Sequence, residues 1–238
     1  MLGLGEAGGR LAADLAAAGA EVQGYDPVVT PDGDAAETVA GCDVVLSVNS
    51  AAVAHAVASS VRDRLRPGAV YADLNTSAPR LKRELAALVT DALFADVALL
   101  GPVPARGLAT PALASGPGAE AFRAALGPLG MPVEVVSAAA GDAARRKLLR
   151  SVFMKGVAAA AVESLEAAAA AGEEAWVRGE IAGVLGEPLL DRFVEGSRIH
   201  AVRRIEEMEA AAELLRELGI EPRVAEAAAG VLRRLAGS

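Results

Sequence analysis

The stretch Gly3-Leu4-Gly5-Glu6-Ala7-Gly8 decides the fold, because it forms a G-x-G-x-x-G pattern that opens a helical period over residues 6–18. A short apolar segment at 21–25 follows and ends in Asp26. In a dinucleotide site the first glycine makes a tight turn, the second lets the backbone approach a pyrophosphate, and the third lets helix and strand pack closely. The stretch therefore predicts the nucleotide-binding turn of a doubly wound α/β sheet.

The predicted cofactor contacts of this turn come from the helix N-terminus and one carboxylate: Gly3, Gly5, Glu6, Ala7, Gly8 and Asp26. Asp26 lies 18 residues after Gly8, where an acidic side chain can accept hydrogen bonds from the adenosine ribose. Its charge repels a 2′-phosphate, and no Arg or Lys lies between it and Ala40, so NAD is slightly favoured over NADP. The alternative is a glycine-rich turn that only caps a helix, with Asp26-Pro27 as ordinary turn residues.

Only Met1 and Leu2 precede this turn, whereas the pattern normally follows a full central strand. An absent central strand would leave its two neighbours with unpaired backbone groups. We therefore expect residues upstream of Met1 to complete that strand.

The rest of the first 137 residues alternates apolar and helical segments, which predicts a mostly parallel sheet covered on both faces. Predicted strands lie at 43–48, 69–73, 93–100, 112–115 and 133–136, and predicted helices at 51–65, 79–89 and 119–126. The fold class is thus α/β, with a Rossmann-type doubly wound sheet in a dinucleotide-binding domain at 1–137.

From residue 138 the pattern is helical as far as 238, broken only near 186–188 and 219–222. We predict an all-α substrate and dimerisation domain at 138–238, in which Trp176 packs and the acidic run 206–209 forms a solvated helix face. Its alanine-rich helix faces favour a homodimer.

Composition excludes several classes of protein. Lys and Arg number 23 against 31 Asp and Glu, so a net charge of −8 makes nucleic-acid binding improbable. No apolar run approaches the ~20 residues that span a bilayer. The single cysteine, Cys42, allows no intrachain disulfide and no thiolate zinc site, and we predict no metal site. The N-terminus lacks a secretory pattern, so a cytoplasmic location is expected.

Polar residues follow two predicted strands at the carboxyl edge of the sheet, where ligands of such folds bind. Asn49 and Ser50 are predicted to contact the cofactor, with a plain N-cap of the next helix as an equal alternative. Asn75 and Thr76 are predicted to contact the nicotinamide or the substrate, with turn capping as the alternative.

Three lysines are present, Lys82, Lys147 and Lys155. Lys147, Ser151 and Lys155 are spaced by four residues, which places them on the same side of a helix. A desolvated lysine can exchange a proton near neutral pH, so we predict Lys147 as the catalytic acid/base and Lys155 in the substrate site. Ser151 is predicted as a second catalytic residue that hydrogen-bonds the substrate hydroxyl or a carboxylate oxygen. The alternative is a set of solvated helix lysines, or Lys155 alone as the catalytic group.

His200 lies among three arginines, Arg198, Arg203 and Arg204. Histidine titrates near neutrality, so this group could assist proton transfer or bind an anionic substrate. A surface histidine on a helix is the alternative.

Four stretches together resemble the β-hydroxyacid dehydrogenase family, which includes 3-hydroxyisobutyrate and 6-phosphogluconate dehydrogenases. They are residues 3–27; Asp73-Leu74-Asn75-Thr76-Ser77-Ala78-Pro79, similar to the D-x-S-T-x-x-P loop; GDAARRKLLRS at 141–151, similar to the helix of the catalytic lysine; and 198–222, similar to a less characterised phosphogluconate-dehydrogenase-like branch.

The resemblance implies that Lys147 is the general acid/base and that Gly101 lies in the substrate segment. The chain departs from the family pattern at three positions: Ser151 stands for an asparagine, Leu100 for a serine and Asn75 for a serine. The resemblance implies hydride transfer between NAD or NADP and a small hydroxy acid or related alcohol. An imine reductase on the same architecture and a non-catalytic nucleotide-binding protein are the alternatives.

Overall fold

The computed structural model describes residues 1–237, which divide into two compact units. The first unit is Met1–Lys147 and the second begins at Leu148. The division falls inside a single long helix, so one secondary-structure element contributes residues to both units. Within the described residues, no helix combines the length and the apolar character needed to cross a membrane.

The first unit contains a five-stranded sheet whose strands are neighbours in chain order. They are β1 Val44–Ser47, β2 Val70–Asp73, β3 Leu93–Leu99, β4 Ala112–Ser115 and β5 Val133–Ser137. The first three run parallel, β4 is antiparallel to β3, and β5 is parallel to β4. The link between β3 and β4 holds only a one-turn α-helix and a 3-10 turn, too little for the crossover that a parallel neighbour requires. The predicted mostly parallel sheet is confirmed.

Residues 1–3 extend the sheet beyond β1. Leu2 bridges Tyr25 on one side and Ser47 on the other, both in parallel orientation. The N–H of Leu2 donates to the carbonyl of Leu46 at 2.8 Å, and the N–H of Gly3 donates to the carbonyl of Tyr25 at 2.8 Å. The predicted strand at 21–25 is wrong in extent, since only this isolated bridge at Tyr25 joins the sheet.

Successive side chains of a strand point to opposite faces of the sheet, and here apolar side chains point to both. Helices therefore pack on each face. Val45, Tyr71 and Phe94 pack on one face with Leu85, whereas the residues next to them in the chain pack on the other face. The helices of this unit are α1 Glu6–Ala17, α2 Ala35–Val39, α3 Ala51–Val61, α4 Pro79–Leu88, α5 Val103–Arg106 and α6 Ala119–Leu126.

The second unit is helical, as predicted. Its helices are the rest of α7 Asp142–Ala171, then α8 Glu174–Leu185, α9 Glu187–Ile199, α10 Ala201–Glu217 and α11 Arg223–Ala236. The two predicted breaks are present, but two more interrupt the helical pattern, at Gly172 and at His200. Gly172 has φ +78°, a left-handed conformation that ends a helix without strain only at glycine.

Two predictions about this unit are wrong, one of them only in part. Trp176 is 66% exposed, so it does not pack in the interior of the unit. The run 206–209 is solvated only in part: Glu206 and Glu209 are exposed, whereas Met208 is fully buried and Glu207 is only 8% exposed. Helix α10 buries one broad face, and α11 supplies much of its apolar contact.

We expect Gly8→Ala to lower the free energy of unfolding by about 1–3 kcal/mol, because a Cβ there would lie 2.0 Å from the carbonyl oxygen of Gly3. Gly5→Ala is the matched control: a Cβ at Gly5 meets no atom within 4 Å, and the change costs no more than about 1 kcal/mol through helix capping. Urea unfolding of both variants measures the difference. Equal losses would contradict the close approach of α1 to the turn.

Candidate functional site

The glycine turn leaves one open side at the N-terminus of α1. Gly3 has φ +98°, and a Cβ on it would lie 2.2 Å from the carbonyl oxygen of Val48. Gly8 is equally crowded, whereas Gly5 faces open space. Gly5 is also the N-cap of α1, and no side chain of the described residues caps this helix there. Backbone N–H groups at Glu6 and Ala7 therefore begin a helix at a place that can accept an anion.

Asp26 is bound to this turn. Its Oδ2 accepts the N–H of Leu4 at 2.9 Å, and its Oδ1 accepts the N–H groups of Val28 at 2.9 Å and Val29 at 3.3 Å. The hydrogen bond from Leu4 is the main reason that the pKa of Asp26 lies below its ordinary value. The carboxylate is thus charged and fixed beside the glycine turn, and it also organises the turn that follows it.

A row of polar side chains crosses the sheet at the carboxyl ends of β1 and β2 and continues through the middle of β3. Ser47, Asp73, Asp96 and Ser115 are successive register partners on β1 to β4, and all four are fully buried; we call them the polar row. Four buried polar side chains at one edge of a sheet require partners, since an unpaired buried polar group is strongly destabilising.

Lys82 of α4 supplies the charge that the polar row needs. Its Nζ lies 2.7 Å from Asp73 Oδ2 and 3.3 Å from Asp96 Oδ1, and the side chain is only 1% exposed. Burial alone would lower the pKa of Lys82, but the charges of Asp73 and Asp96 outweigh burial and raise it. Burial raises the pKa of Asp73, against the attraction of Lys82. Lys82 is therefore an ammonium ion in a buried ion triad.

Asn75 joins the polar row to the loop after β1. Its Nδ2 donates to Asp73 and, at 2.9 Å, to Asn49 Oδ1, while its Oδ1 accepts the N–H of Asn49 at 2.6 Å. Asn49 Nδ2 in turn donates to Ser47 Oγ at 3.1 Å. Ser50 occupies the N-cap position of α3, but its hydroxyl makes no cap hydrogen bond. The two strand-end loops are thus held together by a pair of amides.

The polar row also caps helix α7. Asp96 Oδ2 accepts the N–H groups of Gly141 at 3.1 Å and Ala144 at 3.0 Å. Ser115 Oγ accepts the N–H of Ala143 at 3.0 Å and donates to the same oxygen of Asp96 at 3.0 Å. The first N–H groups of α7 are therefore satisfied by side chains of β3 and β4.

Lys147 follows Ala144 by three residues and reaches the loop after β2. Its Nζ donates to Thr76 Oγ1 at 2.6 Å. Thr76 and Lys147 are both half-buried. The structure thus brings together two residues predicted for the site, and the capped start of α7 positions one of them.

The other predicted residues of α7 have their partner in the second unit. Ser151 is fully buried and donates to Glu207 Oε1, and Lys155 Nζ lies 3.1 Å from the same oxygen. His200 lies at the junction of α9 and α10, and Gly101 is exposed shortly after β3.

Sequence analysis missed three charged side chains of these clusters: Lys82, Asp96 and Glu207. One signal for Lys82 is present in the sequence, since it is spaced three residues from Pro79 and from Leu85, the buried positions of α4. Asp96 and Glu207 carry no such signal, because their partners lie far away in the chain.

Comparison with known proteins gives one family model and one curated relative. The model, described as "Domain of unknown function (DUF1932)", matches residues 168–235. The relative is an uncharacterized 28.5 kDa protein of Methanothermus fervidus, 29% identical over 146 residues, which are 58% of this chain and 55% of the relative. The match thus spans about half the length of that relative.

Solved structures share the fold over nearly the whole chain. A conserved protein of unknown function, described as structurally similar to 3-hydroxyacid dehydrogenases, is 29% identical with a TM-score of 0.76 over 98% of this chain and 95% of its own. The 3-hydroxyisobutyrate dehydrogenase of Mycobacterium tuberculosis, solved with L-serine, is 21% identical with a TM-score of 0.81 over 100% and 92%. A reductive aminase of Aspergillus terreus, solved with NADPH and ethyl levulinate, is 17% identical with a TM-score of 0.63 over 99% and 92%.

The fold is that of Rossmann-type hydroxyacid dehydrogenases. The resemblance to the β-hydroxyacid dehydrogenase-like family, which rested on four sequence stretches, is confirmed by these comparisons.

We expect Lys82→Met to lower the free energy of unfolding by about 3–5 kcal/mol, because it leaves two buried carboxylates without their counter-charge. Arg123→Met is the control: Arg123 pairs with Glu120 at 2.6 Å on the surface, where an ion pair contributes about 1 kcal/mol or less. Chemical unfolding of both variants measures the difference. A Lys82→Met protein as stable as the control variant would show that the triad does not hold this edge of the sheet.

Proposed function

We propose that the protein is a nicotinamide-dependent oxidoreductase that transfers a hydride between its cofactor and a small hydroxy acid or related alcohol. The observation that carries the proposal is the hydrogen bond from Lys147 Nζ to Thr76 Oγ1, 2.6 Å, at the carboxyl end of β2. Ligands of open α/β sheets bind outside this edge.

The first unit has the groups that a dinucleotide needs. The open side of Gly5 and the uncapped N-terminus of α1 suit a pyrophosphate. The tight turn that creates this opening requires glycine at Gly3 and Gly8, where a Cβ would clash with the backbone. Asp26 Oδ2 accepts the N–H of Leu4 and keeps a second lone pair beside the turn for a ribose hydroxyl. When bound, the nicotinamide supplies the hydride acceptor or donor.

Lys147 supplies the proton chemistry in this proposal. As an alcohol is oxidised, the C–H bond breaks with its electron pair, and the hydroxyl proton must pass to a base. A neutral Lys147 amine takes that proton, and in the reverse direction its ammonium returns it to the carbonyl oxygen. Its present partner is itself an alcohol oxygen, Thr76 Oγ1, which supports the view that Lys147 can meet a substrate hydroxyl.

Thr76 and Asn75 receive different roles. Both sides of the Asn75 amide already bond to Asp73 and Asn49, so Asn75 acts as a positioning residue that fixes the loop. Thr76 is half-buried and is the residue of this loop that touches Lys147, so we assign it the contact with the substrate.

We expect Lys147→Arg to reduce kcat by about 10²–10⁴-fold, because a guanidinium keeps the charge but cannot release a proton. Nicotinamide affinity, measured by fluorescence titration, stays within about threefold of the parent protein, since the turn that binds it is unchanged. Arg150→Lys, an exposed position on the same helix, is the control and keeps full turnover.

Steady-state assays with hydroxy acids, simple alcohols and cyclic imines, each with NAD(H) and NADP(H), decide among the candidate functions. Undiminished turnover of hydroxy acids by Lys147→Arg would remove Lys147 from the mechanism. Reduction of imines alone would favour the alternative function, an imine reductase. The fold shared with the NADPH-bound reductive aminase is the observation that supports this alternative. Cofactor binding without turnover of any substrate would favour a nucleotide-binding protein.

We propose NAD as the preferred cofactor because the charged Asp26 repels a 2′-phosphate. Asp26→Asn removes the charge and keeps an oxygen for the N–H of Leu4, so NADP(H) affinity should rise about tenfold relative to NAD(H), equivalent to about 1.4 kcal/mol. Asp32→Asn, an exposed carboxylate in the same loop, leaves the ratio unchanged. An Asp26→Asn protein with the parental ratio would contradict this assignment.

A further inference from the structure

Arg204 of α10 differs from the two neighbouring arginines that the sequence placed with it. Arg198 and Arg203 are exposed, whereas Arg204 is half-buried. Its Nη1 donates to Ser197 Oγ at 2.8 Å. Ser197 is almost fully buried, and its own hydroxyl proton goes to the carbonyl of Phe193 at 2.7 Å. The remaining lone pairs of Ser197 are therefore what holds the guanidinium.

The backbone at Gly196 also contacts the Arg204 guanidinium. A Cβ at Gly196 would lie 2.4 Å from Arg204 Nη2, so the guanidinium packs directly against the glycine. The hydrogen bond of Nη1 to Ser197 and the close packing of Nη2 against Gly196 restrict the rotation of the Arg204 side chain. The guanidinium is thus held in one place before any ligand arrives.

Arg204 lacks a carboxylate partner within 4 Å among residues 1–237. The exposed arginines Arg216, Arg233 and Arg234 of the same unit each have one. Burial lowers the pKa of Arg204, only partly offset by the more distant charge of Glu207. A desolvated cation without a counter-ion is unfavourable, and the paired N–H donors of a guanidinium suit a carboxylate or a phosphate.

The charges around Arg204 also leave room for an anion. Glu207 is the carboxylate shared by Ser151 and Lys155, with Lys155 Nζ 3.1 Å from its Oε1. Its charge also raises the pKa of Arg204, whereas the charge of Arg203 lowers it, so Lys155 and Arg204 share the attraction of one carboxylate. An anion bound at Arg204 adds a second negative charge there.

We infer that Arg204, assisted by Lys155, forms a binding site in the second unit for the acidic group of a small molecule, a carboxylate or a phosphate. Naming that molecule as the substrate rests on the proposed function, and anion binding itself does not. Bidentate contact through a planar guanidinium fits both acidic groups. Of the three arginines that the sequence placed near His200, Arg204 is therefore the one that we assign to the anion site.

The test measures anion binding without cofactor or turnover. Inorganic phosphate and, separately, glycolate are titrated at constant ionic strength into the full chain and into Arg204→Met and Arg203→Met, with calorimetric titration and thermal unfolding as readouts. At least one anion should bind the parent and Arg203→Met and raise Tm by about 2–4 °C at saturating concentration, while Arg204→Met shows neither effect. Which anion binds distinguishes a phosphorylated ligand from a carboxylic acid.

A second measurement separates ligand binding from a structural role. Without anion, Arg204→Met should unfold at the same temperature as the parent or higher, because an unbalanced buried charge has been removed. A purely structural Arg204 predicts a lower Tm instead, and that result would overturn the inference. The inference is also overturned if neither anion binds the parent, or if Arg204→Met binds the anion as tightly as the parent does.

The two proposals can fail independently. Lys147→Arg should keep the full anion response, since Arg204 and the residues that hold it, Ser197 and Gly196, are unchanged. If no substrate of the panel turns over but the anion response still depends on Arg204, the anion site is supported and the dehydrogenase assignment fails. If hydroxy acids turn over in Arg204→Met with an unchanged KM, the dehydrogenase assignment is supported and Arg204 is not the substrate's anion site.

Discussion

Lys82 lies fully buried between the carboxylates of Asp73 and Asp96, and the carboxyl edge of the sheet depends on that ion triad. Asp73 is the acceptor that fixes Asn75, and Asp96 is the acceptor that caps α7. The lysine joins the two carboxylates, so it couples the loop after β2 to the start of the helix. Such a triad is more useful for geometry than for stability, since a well-packed apolar core can be equally stable.

The hydrogen bonds from this triad form a closed path together with two short stretches of backbone. From Asp73 they run to Asn75, whose neighbour Thr76 accepts from Lys147. From Asp96 they run to the N-terminus of α7, the helix that carries Lys147. Both arms therefore end at the side chain of Lys147. A side chain reached from two directions keeps its position better than one supported from its own helix alone.

The sequence predicts the first unit well where local pattern and backbone sterics decide the structure. Gly3 and Gly8 behave as the motif requires, and the five strands β1 to β5 lie close to their predicted positions. Local pattern fails where a distant partner decides. Glu207 reads as part of a solvated acidic run, but Ser151 and Lys155, more than fifty residues earlier, make it a buried acceptor.

The same limit explains the other errors. Trp176 is large and apolar, which predicts burial, yet whether a neighbour covers it depends on packing that the sequence does not display. For Thr76 and Lys147 the sequence places both at the right kind of element end, but the 2.6 Å contact between them follows only from the folded sheet. Residue types at a site are thus more predictable than their pairings.

The capping of α7 by Asp96 and Ser115 has a consequence for the order of folding. These acceptors belong to β3 and β4, and they reach N–H groups 45 and 28 residues further along the chain. A first turn that is capped by side chains of two strands gains those hydrogen bonds only after the strands have paired. Lys147 therefore acquires its orientation late, and a nascent chain cannot place this side chain beside Thr76 before the strands of the first unit are assembled.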